Sequence, residues 1–177
     1  MKRANPLYAV FAALTVAIGI TLSAVIGTAA LQSHPEESQG VMIDVKPWPE
    51  ATHVRVFVKD ISYDEFERTG KNMSNPEGVL LSATQRAILD KSVHLYRMTP
   101  NELENNAVAG CFIPHHFFRY YDARGRQLGE LAVCYCCMGI EFSPALKSLE
   151  SDEEWRFDFP AVKKMLDEMR IPTNVNC

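Results

Sequence analysis

CFIPHHFFRYYDARGRQLGELAVCYCC, residues 111–137, decides how this chain folds. Phe117-Phe-Arg-Tyr-Tyr121 has the aromatic composition of a strand, and Gln127 to Tyr135 reads as a second one. Between them Asp122-Ala-Arg-Gly125 is a turn, with glycine where a positive φ is easily adopted. The stretch is therefore a β-hairpin. A turn at Asp122–Gly125 places Tyr121 opposite Arg126, Ile113 opposite Cys134 and Cys111 opposite Cys136. A slip of one residue sets Cys111 level with Cys137 and Pro114 level with Cys134. In both registers the cysteines meet His115 and His116 at the open end of the hairpin. Alternation puts Cys134 and Cys136 on one face and Cys137 on the other, and it also opposes Cys111 to His116. One shared site therefore requires both segments to leave regular strand. Pro114, which cannot donate to a ladder, favours that in the first segment.

Four of the five cysteines and two of the five histidines lie in this stretch. Thiolates and imidazoles bind borderline and soft metals, and thiols pair or exchange electrons. At these residues the chain resembles an uncharacterised bacterial family of exported or membrane-anchored proteins. The family pattern is Cys-(Phe/Tyr)-x-Pro-Arg-His, then Cys-Phe-x-Cys, then an amphipathic helix ending in Ile-Pro. Here it matches Cys111-Phe112-Ile113-Pro114-His115-His116, Cys134-Tyr135-Cys136-Cys137 and the segment closing at Ile171-Pro172. The resemblance spans about residues 110–173 and carries no function. It implies that Cys111, His116, Cys134 and Cys137 are the recurrent set, with Cys136 at a variable position. His115 stands where the family tends to have arginine.

Three chemistries fit the cluster. The four recurrent residues make a Cys3His ligand set for structural zinc, with copper(I) as the softer alternative beside Met138. Cys111 paired with Cys136 or Cys137 makes a disulfide stapling the hairpin, leaving Cys177 as the odd cysteine. Cys134-x-x-Cys137 is also a thiol–disulfide exchange pair, although redox pairs of this spacing usually open a helix and this one follows a strand. Covalent haem attachment is excluded, because Met138 stands where histidine is required. Nothing specifies an oxyanion site or an acid partner for a Cys–His hydrolase, so the chain is read as non-enzymatic.

The 177-residue chain opens with Lys2 and Arg3, then an apolar run from Leu7 to Leu31. A run of about 25 residues is long enough to span a bilayer and longer than the usual signal-peptide core. Residues 1–6 are read as a cytoplasmic tip and 7–31 as a transmembrane anchor, with a signal segment cut near Thr28-Ala29-Ala30 as the alternative. Residues 32–47 are a polar tether, and 48–177 a domain outside the cytoplasm. The expected partner is the lipid bilayer through residues 7–31. Without Lys2 and Arg3, 16 Lys and Arg face 22 Asp and Glu, and no basic cluster is present, which excludes nucleic acid as a partner.

Elsewhere His53 to Lys59 alternates as a strand, and residues 60–78 read as an irregular connection. Ser82-Ala-Thr-Gln85 is a capping box for a helix over 83–93, and Leu95 to Met98 is a short strand followed by a loop over 101–110. Asp152-Glu153-Glu154 reads as a solvated acidic patch or helix start. Phe159-Pro160 opens a helix whose stripe Val162, Met165, Leu166 and Met169 faces the core. His53 and His94 stand alone. The expected fold is α+β: a small antiparallel sheet built around the hairpin, with one or two packing helices, preceded by a transmembrane helix.

Overall fold

The computed structural model describes residues 39–60, 63–70, 72–105 and 112–175. The anchor at 7–31, residues 32–38 of the tether, Cys111 and Cys177 lie outside the described residues. Among the described residues, no helix is long and apolar enough to cross a membrane.

In chain order the elements are β1 (Val41–Asp44), β2 (His53–Val58), α1 (Tyr63–Thr69), β3 (Val79–Leu80), α2 (Ala83–Lys91) and β4 (Val93–Arg97). They continue with α3 (Pro100–Glu104), β5 (His116–Tyr121), β6 (Gln127–Cys134), β7 (Gly139–Ser143), β8 (Glu153–Phe157) and α4 (Phe159–Glu168). The fold is α+β, and all strand pairings are antiparallel. The strands form two sheets, β3-β2-β5-β6-β7 and β1-β4-β8, where a single sheet was expected.

The second sheet arises from stretches whose composition hid their role. Val41-Met-Ile43, inside the expected tether, pairs with Arg97, Tyr96 and Leu95 of β4. The acidic patch is corrected too: it lies in and beside β8, where Glu153 is buried and neutralised by Lys147 and Arg97. Those partners, Lys147 foremost, hold the Glu153 carboxyl down at about 2. A carboxylate so satisfied can sit in a strand that a solvated one would leave.

The helices begin where side chains supply their orphan amides. Ser82 and Gln85 close a reciprocal capping box on α2, as do Thr99 and Glu102 on α3. Asp158 accepts from the Ala161 amide to start α4, with Pro160 in its first turn. Phe159, Val162, Met165 and Leu166 of α4 are buried, together with Leu89 of α2. They join one core with Val54, Val56 and Val58 of β2, Phe118 and Tyr120 of β5, and Leu131 and Val133 of β6. The five-stranded sheet thus has a core face and an outer face.

The hairpin forms with its turn at Asp122–Gly125, where Gly125 has φ 77°. Its register departs from the first of the two expected, by one residue at Tyr121 and by two from Tyr120 back to His116. Tyr121 pairs with Gln127 rather than Arg126, and an irregularity next to Tyr120 leaves Leu128 without an opposite residue, so His116 faces Val133. A slip of two preserves parity, so from His116 to Tyr120 the side chains face as they do in the first expected register. Gly129 permits the local packing: a Cβ there would lie 2.0 Å from the Trp48 ring.

Candidate functional site

β6 ends at Cys134, and the turn Tyr135–Met138 leads directly into β7 at Gly139. Cys134 and Gly139 are cross-strand partners. The turn closes through Met138, a non-glycine residue at φ 52°. It folds Cys137 back over Cys134: the Cys137 amide donates to Cys134 Sγ at 3.4 Å, and the two sulfurs stand 2.6 Å apart. Both are thiols, Cys134 buried and Cys137 half-buried.

Burial works against ionisation of Cys134. It is outweighed by the Cys137 thiol and by the amides of Cys137, Ile113 and Cys136, which hold the Cys134 thiol below its ordinary range. The buried sulfur thus sits in a cradle of N–H donors while the Cys137 sulfur is reachable. Gly139 leaves the space this needs. A Cβ there would lie 3.0 Å from the Phe112 ring and 3.7 Å from Cys137 Sγ, so ring and sulfur meet over the bare glycine.

The expected ligands do not all come together. Cys134 and Cys137 do. His116 lies opposite Val133 on the core face, whereas Cys134 is one residue further along β6 and points to the outer face. The His116 ring is fully buried and packs edge-on to Tyr135, with ring centroids 5.1 Å apart. Its Nε2–H donates to the Pro172 carbonyl at 2.8 Å, leaving Nδ1 buried with no hydrogen-bond partner. Burial pushes the His116 imidazole below its ordinary range. This histidine ties the segment after α4 to the sheet. Cys111 lies outside the described residues. Among the described residues no group of three or more His, Cys, Asp and Glu side chains is placed to hold a metal ion.

His115 is the imidazole on the outer face. Its carbonyl accepts from the Lys59 amide at 2.8 Å, which continues the β2–β5 ladder one residue past His116. Its Nδ1–H donates to the Lys59 carbonyl at 2.8 Å, which fixes the tautomer and leaves the lone pair on Nε2. Strand parity was the signal that separates the two histidines. Cys136, at the exposed tip of the turn, is disulfide-bonded, and its partner is not among the described residues.

Two grooves flank the turn. One of about 400 Å³ is lined by Tyr135, Met138, Phe159, Lys163, Thr173 and Asn174 among others. Another of about 640 Å³ includes Met138, Ile140, Trp155 and Phe157. Met138 is a ridge common to both, 59% exposed. Comparison with protein-family models, with curated proteins and with solved structures finds no match.

Proposed function

We propose that the chain is a thiol–disulfide exchange protein of the cell envelope, with Cys134 and Cys137 as its redox pair. The observation that carries this reading is the pairing itself: one accessible sulfur against one buried sulfur whose thiolate three backbone amides stabilise. The Cys137 thiolate attacks a disulfide of a partner, and the partner's second sulfur leaves as a thiolate. The Cys134 thiolate then attacks Cys137 Sγ, closing the Cys134–Cys137 disulfide and releasing the partner as a dithiol. Two electrons pass to the partner. Run in reverse, the same steps oxidise a partner dithiol, and Cys134 is then the favoured leaving group. The apolar run at 7–31 supports an envelope location, with the domain on the side where disulfides persist.

The amide cradle also favours a second reading, in which Cys134 and Cys137 are two thiolate ligands of zinc or copper(I). His116 does not fit that site, because it faces the core with Nε2 engaged.

Oxidised glutathione added to reduced protein separates the two. Exchange predicts a Cys134–Cys137 disulfide, found by acid quench and peptide mapping, with two glutathione thiols released per chain. It also predicts that Cys137→Ser abolishes this. About one tightly held zinc or copper per chain, with both sulfurs refusing oxidation, would establish the metal reading instead.

A further inference from the structure

We propose that the groove between β7 and β8 docks the partner of the Cys134–Cys137 pair, and that this partner is an extended, apolar polypeptide segment carrying the disulfide to be exchanged. The proposal rests on the redox reading above and names its substrate class.

β7 is the last strand of the five-stranded sheet and β8 the last of the three-stranded one, so among the described residues each has a strand on one side alone. An edge strand directs alternate backbone N–H and C=O pairs away from its neighbour, which makes it a template for an added strand. The groove of about 640 Å³ lies between these two edges and has the size of a binding cleft. Its apolar wall is built from Met98, Ile140, Leu149, Trp155 and Phe157. Charges beside this wall are matched within the protein. Glu153 pairs with Lys147 and Arg97, and Arg156 donates to Glu154 at 2.7 Å. A charged ligand would lose its hydration here without an opposite charge to offset the loss, whereas an apolar one gains by burial.

The groove meets the sulfurs at one end. On the β7 side it is lined by Met138, Gly139 and Ile140, the first residues after Cys137. A Cβ on Gly139 would lie 3.7 Å from Cys137 Sγ, so the reachable sulfur stands over a residue of the groove wall. Farther along, Phe142 of β7 packs against Trp155 of β8 with ring centroids 4.9 Å apart, which holds the two edges together. A segment laid along β7 from Gly139 therefore has its backbone at an open edge and its side chains against the apolar wall. Its residue level with Gly139 comes within reach of Cys137 Sγ. The edge selects an extended backbone, the wall selects apolar side chains, and the sulfur selects a disulfide among them. The Cys137 thiolate attacks the seated sulfur, the Cys137–segment bond forms, and the sulfur that had been bonded to the segment leaves as a thiolate. Attack of the Cys134 thiolate on Cys137 Sγ then releases the segment as a thiol.

Peptides that carry a mixed disulfide with a chromogenic aryl thiol test this on the full-length reduced protein. One has Val, Ile and Phe around its cysteine, and another has Asp and Glu there. Two more repeat the apolar peptide with N-methyl groups on one or the other set of alternate residues. The apolar peptide should release its aryl thiol about tenfold faster than the acidic one, since burying each apolar side chain is worth about that factor in affinity. One N-methylated set should lose the advantage and the other keep it, because only alternate amides pair in an added strand. Leu149→Lys, at an exposed position of the wall, should lower the ratio of the apolar-peptide rate to the oxidised-glutathione rate about tenfold. A labelled apolar peptide with serine for cysteine reads docking alone, by fluorescence anisotropy, and should bind. Equal rates for all four peptides with the serine peptide unbound overturn the proposal and leave the redox reading standing. A dimer joined through β7 that the peptide does not displace overturns it in favour of a second copy. Cys137 inert to every disulfide while the serine peptide binds sinks the redox reading, and the substrate role of the groove with it.

Discussion

His116 and His115 are neighbours in sequence and opposites in role. His116 is held neutral by burial, with its free lone pair facing the core. Its folded pKa is lowered, so on acidification the unfolded chain takes up this proton before the folded one does. Stability from this group is present above the unfolded value of about 6.5 and declines as pH falls below it. His116→Phe removes that dependence, so its urea midpoint should vary less than wild type between pH 7 and pH 5. At pH 7 the variant should be weaker by about 1–3 kcal/mol, because the Pro172 carbonyl loses its donor. Equal pH slopes in the two proteins would contradict this account of His116. The two cysteines that pair were legible as Cys-x-x-Cys. The choice between histidines was not, because it turns on strand parity relative to Val133, and the ligand set drew on a residue pattern that ignores faces.

At the scale of elements, the hairpin was readable because Asp122–Gly125 is strong turn chemistry between two β-favouring runs. Its register was not, since Leu128 bulges out to seat Gly129 under the Trp48 ring, a contact about 80 residues distant in sequence. Gly129→Ala should cost about 1–3 kcal/mol by overpacking, read as a lowered denaturation midpoint. An unchanged midpoint would show that Trp48 moves freely. The α2 start was fully encoded in Ser82 and Gln85, and Ser82→Ala should cost about 1 kcal/mol. The same signature stands at Thr99-Pro-Asn-Glu102, where a short helix, Pro100–Glu104, takes the first residues of the loop expected over 101–110. β8 could not be read from its acidic composition, because the cations that make Glu153 tolerable lie at Arg97 and Lys147.

For the whole molecule, the antiparallel α+β class followed from the hairpin and the α4 stripe. The division into two sheets did not, because β1 and β8 become strands only through pairing with β4. The five-stranded sheet then gives the chain its chemical asymmetry. Its core face takes His116, and its outer face carries Cys134 and Cys137 beside Phe112 and the bare Gly139. A scaffold of this kind holds one sulfur fixed and leaves its partner reachable, as two-step thiol exchange requires. The most direct check is an equilibrium titration of purified protein across glutathione redox buffers, quenched in acid and mapped by peptide mass. The account predicts one reversible two-electron transition, confined to the peptide carrying Cys134 and Cys137 and lost in Cys134→Ala. Cys134 and Cys137 remaining alkylatable thiols across the whole range of buffers would contradict it.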